Sequence, residues 1–124
     1  MFRQIAAITV VMLFADAVWL TATAAGTRKI FAAIQGQPLT VRWIPAVAVY
    51  AIMIAAVWFF AVQPSADWME AGGRGAALGL SAYGIYDLTN YASLAKYPLS
   101  FALTDMTWGA VLFGATAAIV KAVA

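Results

Sequence analysis

The chain has 124 residues, of which 65% are hydrophobic and 10% are charged, and its formal net charge is +2. Soluble domains are about 25% charged and about 45–50% apolar, so a soluble fold of this composition would expose large apolar patches. Cys and His are both absent, which excludes disulfides, Fe–S clusters, thiolate metal sites, His-ligated haem and Ser-His-Asp catalysis.

These proportions predict a polytopic integral membrane protein of the all-α class, with one domain over residues 1–124. About 20 apolar residues cross the hydrocarbon core, so the chain has room for four transmembrane helices in one compact bundle and for no second soluble domain. The Lys and Arg residues are dispersed, so we expect the lipid bilayer as a partner and no nucleic acid. A homo-oligomer and an association with other membrane subunits both stay open.

The first span is predicted at residues 5–24. Arg3 precedes this span and the sequence Ala-Thr-Ala at 22–24 ends it, as in a secretory signal peptide with its cleavage site. Asp16 and Trp19 interrupt the apolar run, however, and further spans follow. We therefore interpret the segment as a retained transmembrane helix.

Three more spans follow a polar connection. Residues 27–34, TRKIFAAI, are predicted to form a short helix at the membrane interface, with a plain loop as the alternative. The second span is predicted at 44–62, where aromatic residues near both ends suit anchoring at the two interfaces. The third span, 75–92, and the fourth, 99–120, carry small residues that let helices approach closely in lipid. The expected helix-packing residues are Gly75, Gly79, Gly84, Gly109 and Gly114.

Three acidic residues, Asp16, Asp87 and Asp105, lie inside the predicted spans. Counted at about 1.5 Å per residue, each lies roughly 10–14 Å from the membrane face that bears Lys96. The fold should therefore bring three carboxyl groups to one layer. Ionisable residues inside a membrane are rare and are a functional-site hypothesis by default.

A short pattern repeats at the three acids, as DAVW at 16–19, DLTN at 87–90 and DMTW at 105–108. Residues i and i+3 share a helix face, so each Asp has a Trp or Asn N–H donor beside it. Tyrosines extend the face around the central acid. The candidate proton- or ligand-binding residues are Asp16, Trp19, Tyr83, Tyr86, Asp87, Asn90, Asp105 and Trp108.

Two interpretations of this layer stay open. Polar side chains can simply fix helix packing, with about 1 kcal/mol from each hydrogen bond in lipid. Asn or Gln would serve that purpose without a titratable proton, so three Asp favour a site that binds a proton, a cation or a small ligand. Close carboxylates cannot all be ionised in a dry site. If a metal binds, its ligands would be Asp16, Asp87 and Asp105, and oxygen ligands alone suit Mg²⁺, Ca²⁺ or Mn²⁺.

Binding or translocation is the leading function. Small proton-coupled exporters also have four short spans with an acid in the first, although this is an analogy of fold alone. The alternative is an accessory role in a membrane-lipid-modifying system or a larger membrane complex, with the Asp layer as a packing network. No nucleophile motif, phosphate loop or redox ligand points to an enzyme or a cofactor.

The motifs resemble those of the DUF2177 family of small bacterial membrane proteins. The resemblance rests on DxxWL at 16–20, AYGxYDLTN at 82–90 and DxxWG at 105–109, and it covers nearly the whole chain. The turn KYPL at 96–99 is similar to the family's WPL segment, with Tyr97 in place of Trp. The resemblance implies a multi-pass protein of the bacterial inner membrane and carries no established activity.

Orientation follows from the Lys and Arg residues outside the spans. Four spans place both termini on one side, which holds Arg3, Arg74 and Lys121. The opposite side holds Arg28, Lys29, Arg42 and Lys96. The side with more positive charge is usually cytoplasmic, so the count favours periplasmic termini.

Overall fold

The computed structural model describes all 124 residues, and helices joined by short connections account for nearly all of them. The helices are α1 (Phe2–Gln35), α2 (Trp43–Ala56) with a π-helical continuation (Val57–Val62), α3 (Trp68–Ser93) and α4 (Leu99–Val123). The all-α prediction is confirmed. Three segments are long and apolar enough to cross a membrane: α1, α2 with its continuation, and α4.

Helix α3 contains the third predicted span, but it is not apolar enough to count as a candidate membrane span. Its sequence explains the difference, because it carries Glu70 and Arg74 in its first turns and Asp87 further along. It also contains several glycines, which are not strongly apolar. Hydropathy alone therefore supports three crossings rather than four.

Helix α1 continues well beyond the predicted first span. Residues 27–34 extend this helix, so the separate interfacial helix expected there does not form. Gly26 does not break the helix, since one glycine in a helix interior costs only about 1 kcal/mol. The helix ends at Gly36, whose φ of 74° is left-handed and whose N–H bonds the carbonyl of Ala32. Glycine adopts this C-terminal conformation without a steric penalty from a Cβ atom.

The π-helical segment fastens the end of α2 to the rest of the molecule. A π-turn is wider than an α-turn, so residues four and five apart share one face. Val57, Ala61 and Val62 are accordingly all buried. The N–H of Gln63 bonds the carbonyl of Trp58, five residues back, and closes the segment.

Helices α3 and α4 form the closest pair, and glycines permit their approach. A Cβ atom on Gly79 would overlap the backbone of Gly109, and one on Gly75 would overlap that of Phe113. A Cβ on Gly109 would overlap the ring of Tyr83. Gly114 lies against Ala76 and Gly72, whereas Gly84 faces only the flexible end of Met106. Small residues at these positions therefore set the distance between the two helices.

The hydrophobic core fills the half of the molecule that contains both termini. Its members are Ile8, Met12, Val57, Ala61, Val62, Ala71, Leu112, Phe113, Ala117 and Val120. At the same end, the Arg3 guanidinium donates to the carbonyl of Val123 at 3.4 Å. The other half is more open, because no Cα atom of α2 lies within 8 Å of a Cα atom in α3 or α4. Asp16, Asp87 and Asp105 border this open half.

Candidate functional site

Asp16 joins three helices through its two carboxyl oxygens, and it is 5% exposed. The Tyr50 hydroxyl of α2 donates to Oδ2. The Trp108 Nε1–H of α4 donates to Oδ1 at 2.9 Å. The Trp19 ring stacks on that of Trp108, with centroids 4.6 Å apart and planes 5° apart. We call Asp16, Trp19, Tyr50 and Trp108 the Asp16 cluster.

The first and last of the repeated motifs therefore meet each other. Asp16 and Trp19 both contact Trp108, which places them on one face of α1, as their spacing predicts. Hydrogen bonds to an ionised group are among the stronger ones. With a donor on each oxygen, Asp16 is well satisfied as a carboxylate.

Asp87 is more deeply buried and less well satisfied. Its side chain is fully inaccessible, and its Oδ1 accepts a hydrogen bond of 2.5 Å from the Tyr97 hydroxyl. Its Oδ2 has no hydrogen-bond partner. An unsatisfied buried polar atom costs about 1–3 kcal/mol, so this oxygen calls for a physical explanation.

Tyr97 is held between aromatic rings in the α3–α4 turn. Phe31 and Phe101 each pack edge-on against it, with ring centroids 6.1 and 5.5 Å away. Burial, and then the hydrogen bond to Asp87, raise the pKa of the Tyr97 hydroxyl, which therefore stays a donor. Phe31 belongs to the C-terminal extension of α1. The segment that was expected to be an interfacial helix therefore packs against Tyr97, the donor to Asp87.

Asp105 lies beside Asp87 at the α3–α4 interface. The two side chains are near neighbours, and the structure contains no hydrogen bond between them. Asp105 is half-buried, and it borders two cavities. One, of about 350 Å³, lies between α1 and α4 and is lined partly by Trp19 and Thr104. We call Asp87, Tyr97 and Asp105 the Asp87 cluster.

The second cavity is a groove of about 450 Å³ between α2 and the α3–α4 pair. Its lining residues are Val49, Met53, Ala82, Tyr83, Tyr86, Asp105 and Phe113. Tyr83 packs edge-on against Phe113 with centroids 5.9 Å apart, whereas Tyr86 is 52% exposed. These two candidate residues thus form part of a wall of the groove and make no direct bond to an acid.

No positively charged side chain accompanies Asp16, Asp87 and Asp105. The only salt bridge in the chain joins Arg74 to Glu70 in the first turns of α3. The three Asp carboxyl groups also do not come together as a group of three that could hold a metal ion. The three acids belong to two clusters that are linked through α4, where Trp108 follows Asp105 by one helical turn.

Asn90 lies at the edge of the site. It is half-buried and near the Tyr97 hydroxyl. The i, i+3 spacing does place it towards the Asp87 cluster, but the donor that bonds Asp87 is Tyr97.

Sequence reasoning missed both phenols that bond the acids. The position of Tyr50 could have indicated a buried hydrogen bond, since it is the only residue with a hydrogen-bonding side chain between Pro45 and Ala56. Tyr97 gave no such signal, because it precedes Pro98 in what the sequence predicts to be an ordinary turn. Its partner Asp87 is ten residues away, and sequence spacing alone does not predict the geometry of the turn between them.

Comparison with curated proteins and with solved structures finds no match. A family model does match, over residues 1–122, and it describes predicted membrane proteins. The match covers nearly the whole chain and includes every residue of both clusters. The chain therefore belongs to the DUF2177 family of predicted membrane proteins.

Proposed function

We propose that the chain is a multi-pass membrane protein that binds a proton at the Asp87–Asp105 pair and exchanges it for a cation or a small ligand. The observation that carries this proposal is the absence of any basic partner for these acids, together with the unpartnered Oδ2 of buried Asp87. A low-dielectric site with several carboxyl groups must be neutralised by protons or by bound cations.

A shared proton accounts for the unpartnered oxygen. If Asp105 is protonated, its O–H can donate to Asp87 Oδ2, which satisfies that atom and removes one negative charge. The two groups then titrate as a pair rather than separately. The Tyr97 hydroxyl already occupies Oδ1, so Asp87 would become fully hydrogen-bonded.

The two members of the pair differ in access, which suggests different roles. Asp87 is fully buried, whereas Asp105 borders both the α1–α4 cavity and the α2-side groove. Asp105 would therefore exchange the proton, and Asp87 would hold it in place. Asp16, whose oxygens both have donors, would position Trp108.

We also propose that α3 crosses the membrane despite its lower hydropathy. It packs against α4 from Gly72, which lies near Ala118, to the turn at Tyr97. Because α4 is a candidate span, its close partner would occupy the same depth. Both termini then lie on one side, in agreement with the contact of Arg3 with Val123, and the charge count favours the periplasmic side of a bacterial inner membrane.

Proton binding can be tested by titration of the purified protein in lipid nanodiscs. Between mildly acidic and alkaline pH, the wild type should release about one more proton per chain than the double variant Asp87→Asn, Asp105→Asn. Glu70→Gln is the control, because the Glu70 pKa lies below its usual range and this residue should not contribute near neutrality. Equal proton release from wild type and double variant would overturn the proposal.

One observation favours a second role for part of the site. Both oxygens of Asp16 are already bonded to other helices, as in a packing network of an accessory membrane subunit. If Asp16→Asn lowers stability while proton release stays unchanged, the Asp16 cluster is a structural element. The proton site would then be confined to Asp87 and Asp105.

A further inference from the structure

The groove between α2 and the α3–α4 pair differs from a water-filled pocket. Six of its seven lining residues are hydrophobic, and the seventh is Asp105. Its volume of about 450 Å³ lies within the range of small-molecule sites. We propose that this groove binds a lipophilic organic cation, with the charge beside Asp105 and the apolar body against α2. This inference deepens the proposed function and rests on it.

The ligand would enter from the bilayer. No Cα atom of α2 comes within 8 Å of a Cα atom in α3 or α4, so the groove is open along the side of the helices. Two of its lining residues, Val49 and Tyr86, are each 52% exposed. In a membrane this opening faces lipid, and a ligand with a large apolar surface is concentrated there.

Charge selects the sign of the ligand. The titratable groups near Asp105 are acids or phenols, and none is basic. They are Asp16 on α1 and Tyr83, Tyr86 and Asp87 on α3, and Tyr50 on α2 is near Tyr83. An anion would meet only like charge, and a neutral acyl chain would leave Asp105 without compensation unless it stayed protonated. A cation supplies the missing positive charge.

Aromatic rings support the same choice. Tyr83, Tyr86 and Phe113 line the groove together with the acid. The faces of such rings attract cations, particularly where water is excluded. A strongly hydrated cation would lose its water shell among these residues, whereas a delocalised cation covered by apolar groups loses little.

The exchange is balanced in charge. A protonated Asp105 is neutral, and an incoming cation would replace the proton, so that one positive charge enters and one leaves. Apparent affinity for the cation should therefore rise with pH, until the proton no longer competes. This dependence separates a specific site from simple partition into lipid.

Tetraphenylphosphonium is a suitable probe, and tetraphenylborate is its anionic counterpart of nearly equal shape. Binding of both ions to the protein in nanodiscs can be measured by equilibrium dialysis, with empty nanodiscs as the reference. We expect saturable binding of the phosphonium, stronger at higher pH, and none of the borate. Asp105→Asn should weaken phosphonium binding by about tenfold or more. Equal binding of the two ions would overturn the inference.

A matched pair of variants locates the site on α2. Val49 lines the groove, whereas Val47 does not and is 65% exposed. Since α2 has no fully buried residue, neither Val49→Trp nor Val47→Trp should disturb folding. Val49→Trp should reduce phosphonium binding at least about tenfold by filling the groove, and Val47→Trp should leave it within about twofold. Equal effects of the two variants would contradict this location.

The outcomes separate the two proposals. If the titration reveals the extra proton but the phosphonium does not bind saturably, the proton site stands and the lipophilic-cation site is wrong. If neither result appears, both proposals fail. Binding that survives in Asp105→Asn would mean that the charge of this residue does not select the ligand, which also overturns the inference.

Discussion

At the scale of single residues, the surroundings of Asp16 and Asp87 give the same side chain different chemical situations. Asp16 has a donor on each oxygen, whereas Asp87 has one donor and one unpartnered oxygen. Asp16 therefore has a donor at both carboxyl oxygens, whereas Asp87 keeps one oxygen free to accept a further hydrogen bond. Position along a span does not reveal this difference, because it depends on Tyr50 and Tyr97, which come from other parts of the chain.

The hydroxyl of Tyr97 should contribute to stability through Asp87. Tyr97→Phe removes the hydrogen bond to Oδ1 of the buried Asp87. Because an unsatisfied buried polar atom is costly, the substitution should lower the free energy of unfolding by about 1–3 kcal/mol. Unfolding in mixed detergent micelles, followed by circular dichroism, measures this change. Tyr91→Phe is the matched control, since Tyr91 is 46% exposed and its hydroxyl makes no hydrogen bond. Equal stability of the two variants would contradict the assigned role of the Tyr97 hydroxyl.

At the scale of helices, the site depends on one very close pair and one splayed helix. Glycines allow α3 and α4 to approach until Asp87 and Asp105 are neighbours. The π-helical segment holds only the far end of α2 in the core, through Val57, Ala61 and Val62. The rest of α2 stands away from α3 and α4, which leaves the groove open.

Two glycines of α3 should respond oppositely to the same substitution. Gly79→Ala places a methyl group against the Gly109 backbone, and such overpacking typically costs about 1–3 kcal/mol. Gly73→Ala meets nothing within 4 Å and should gain up to about 1 kcal/mol in helix propensity. The same unfolding assay compares them. A Gly79→Ala protein as stable as Gly73→Ala would show that the two helices are not in close contact there.

The start of α3 should depend on pH through Glu70. The Ala66 N–H, and next the Arg74 guanidinium, hold the pKa of this exposed carboxyl below its usual range. A lowered pKa in the folded state stabilises the helix start above the unfolded value of about 4.3, and this stabilisation is lost as pH falls through the lower folded value. Hydrogen-exchange protection of the Ala66 amide should therefore drop in acid. In Glu70→Gln this drop should be absent, and a drop of equal size there would contradict the assignment.

At the scale of the whole molecule, the sequence predicts the class, the helices and the three acids, because these depend on composition and periodicity. Helix α2 with its continuation, Trp43–Val62, lies within one residue of the predicted 44–62. The sequence could not predict that residues 27–34 continue α1, since Phe31 packs against Tyr97 and Phe101 from a distant part of the chain. Such contacts between distant segments also decide which acid is paired and which is not.

The molecule as a whole combines three acids with an apolar-walled groove and provides no salt bridge to any of the three. Its basic residues lie outside the predicted spans, and none forms a salt bridge with these acids. This arrangement leaves the solvent or the bilayer as the source of positive charge. The central claim is therefore that the Asp87–Asp105 pair holds a proton at neutral pH.

Infrared spectroscopy of the protein in lipid nanodiscs tests this claim most directly, because protonated carboxyl groups have a C=O stretching band separate from that of carboxylates. With aspartate labelled with ¹³C, the band at neutral pH should shift with the label and disappear at high pH. It should be lost in the double variant Asp87→Asn, Asp105→Asn and be retained in Asp16→Asn. A neutral-pH spectrum with no protonated aspartate band would contradict the account.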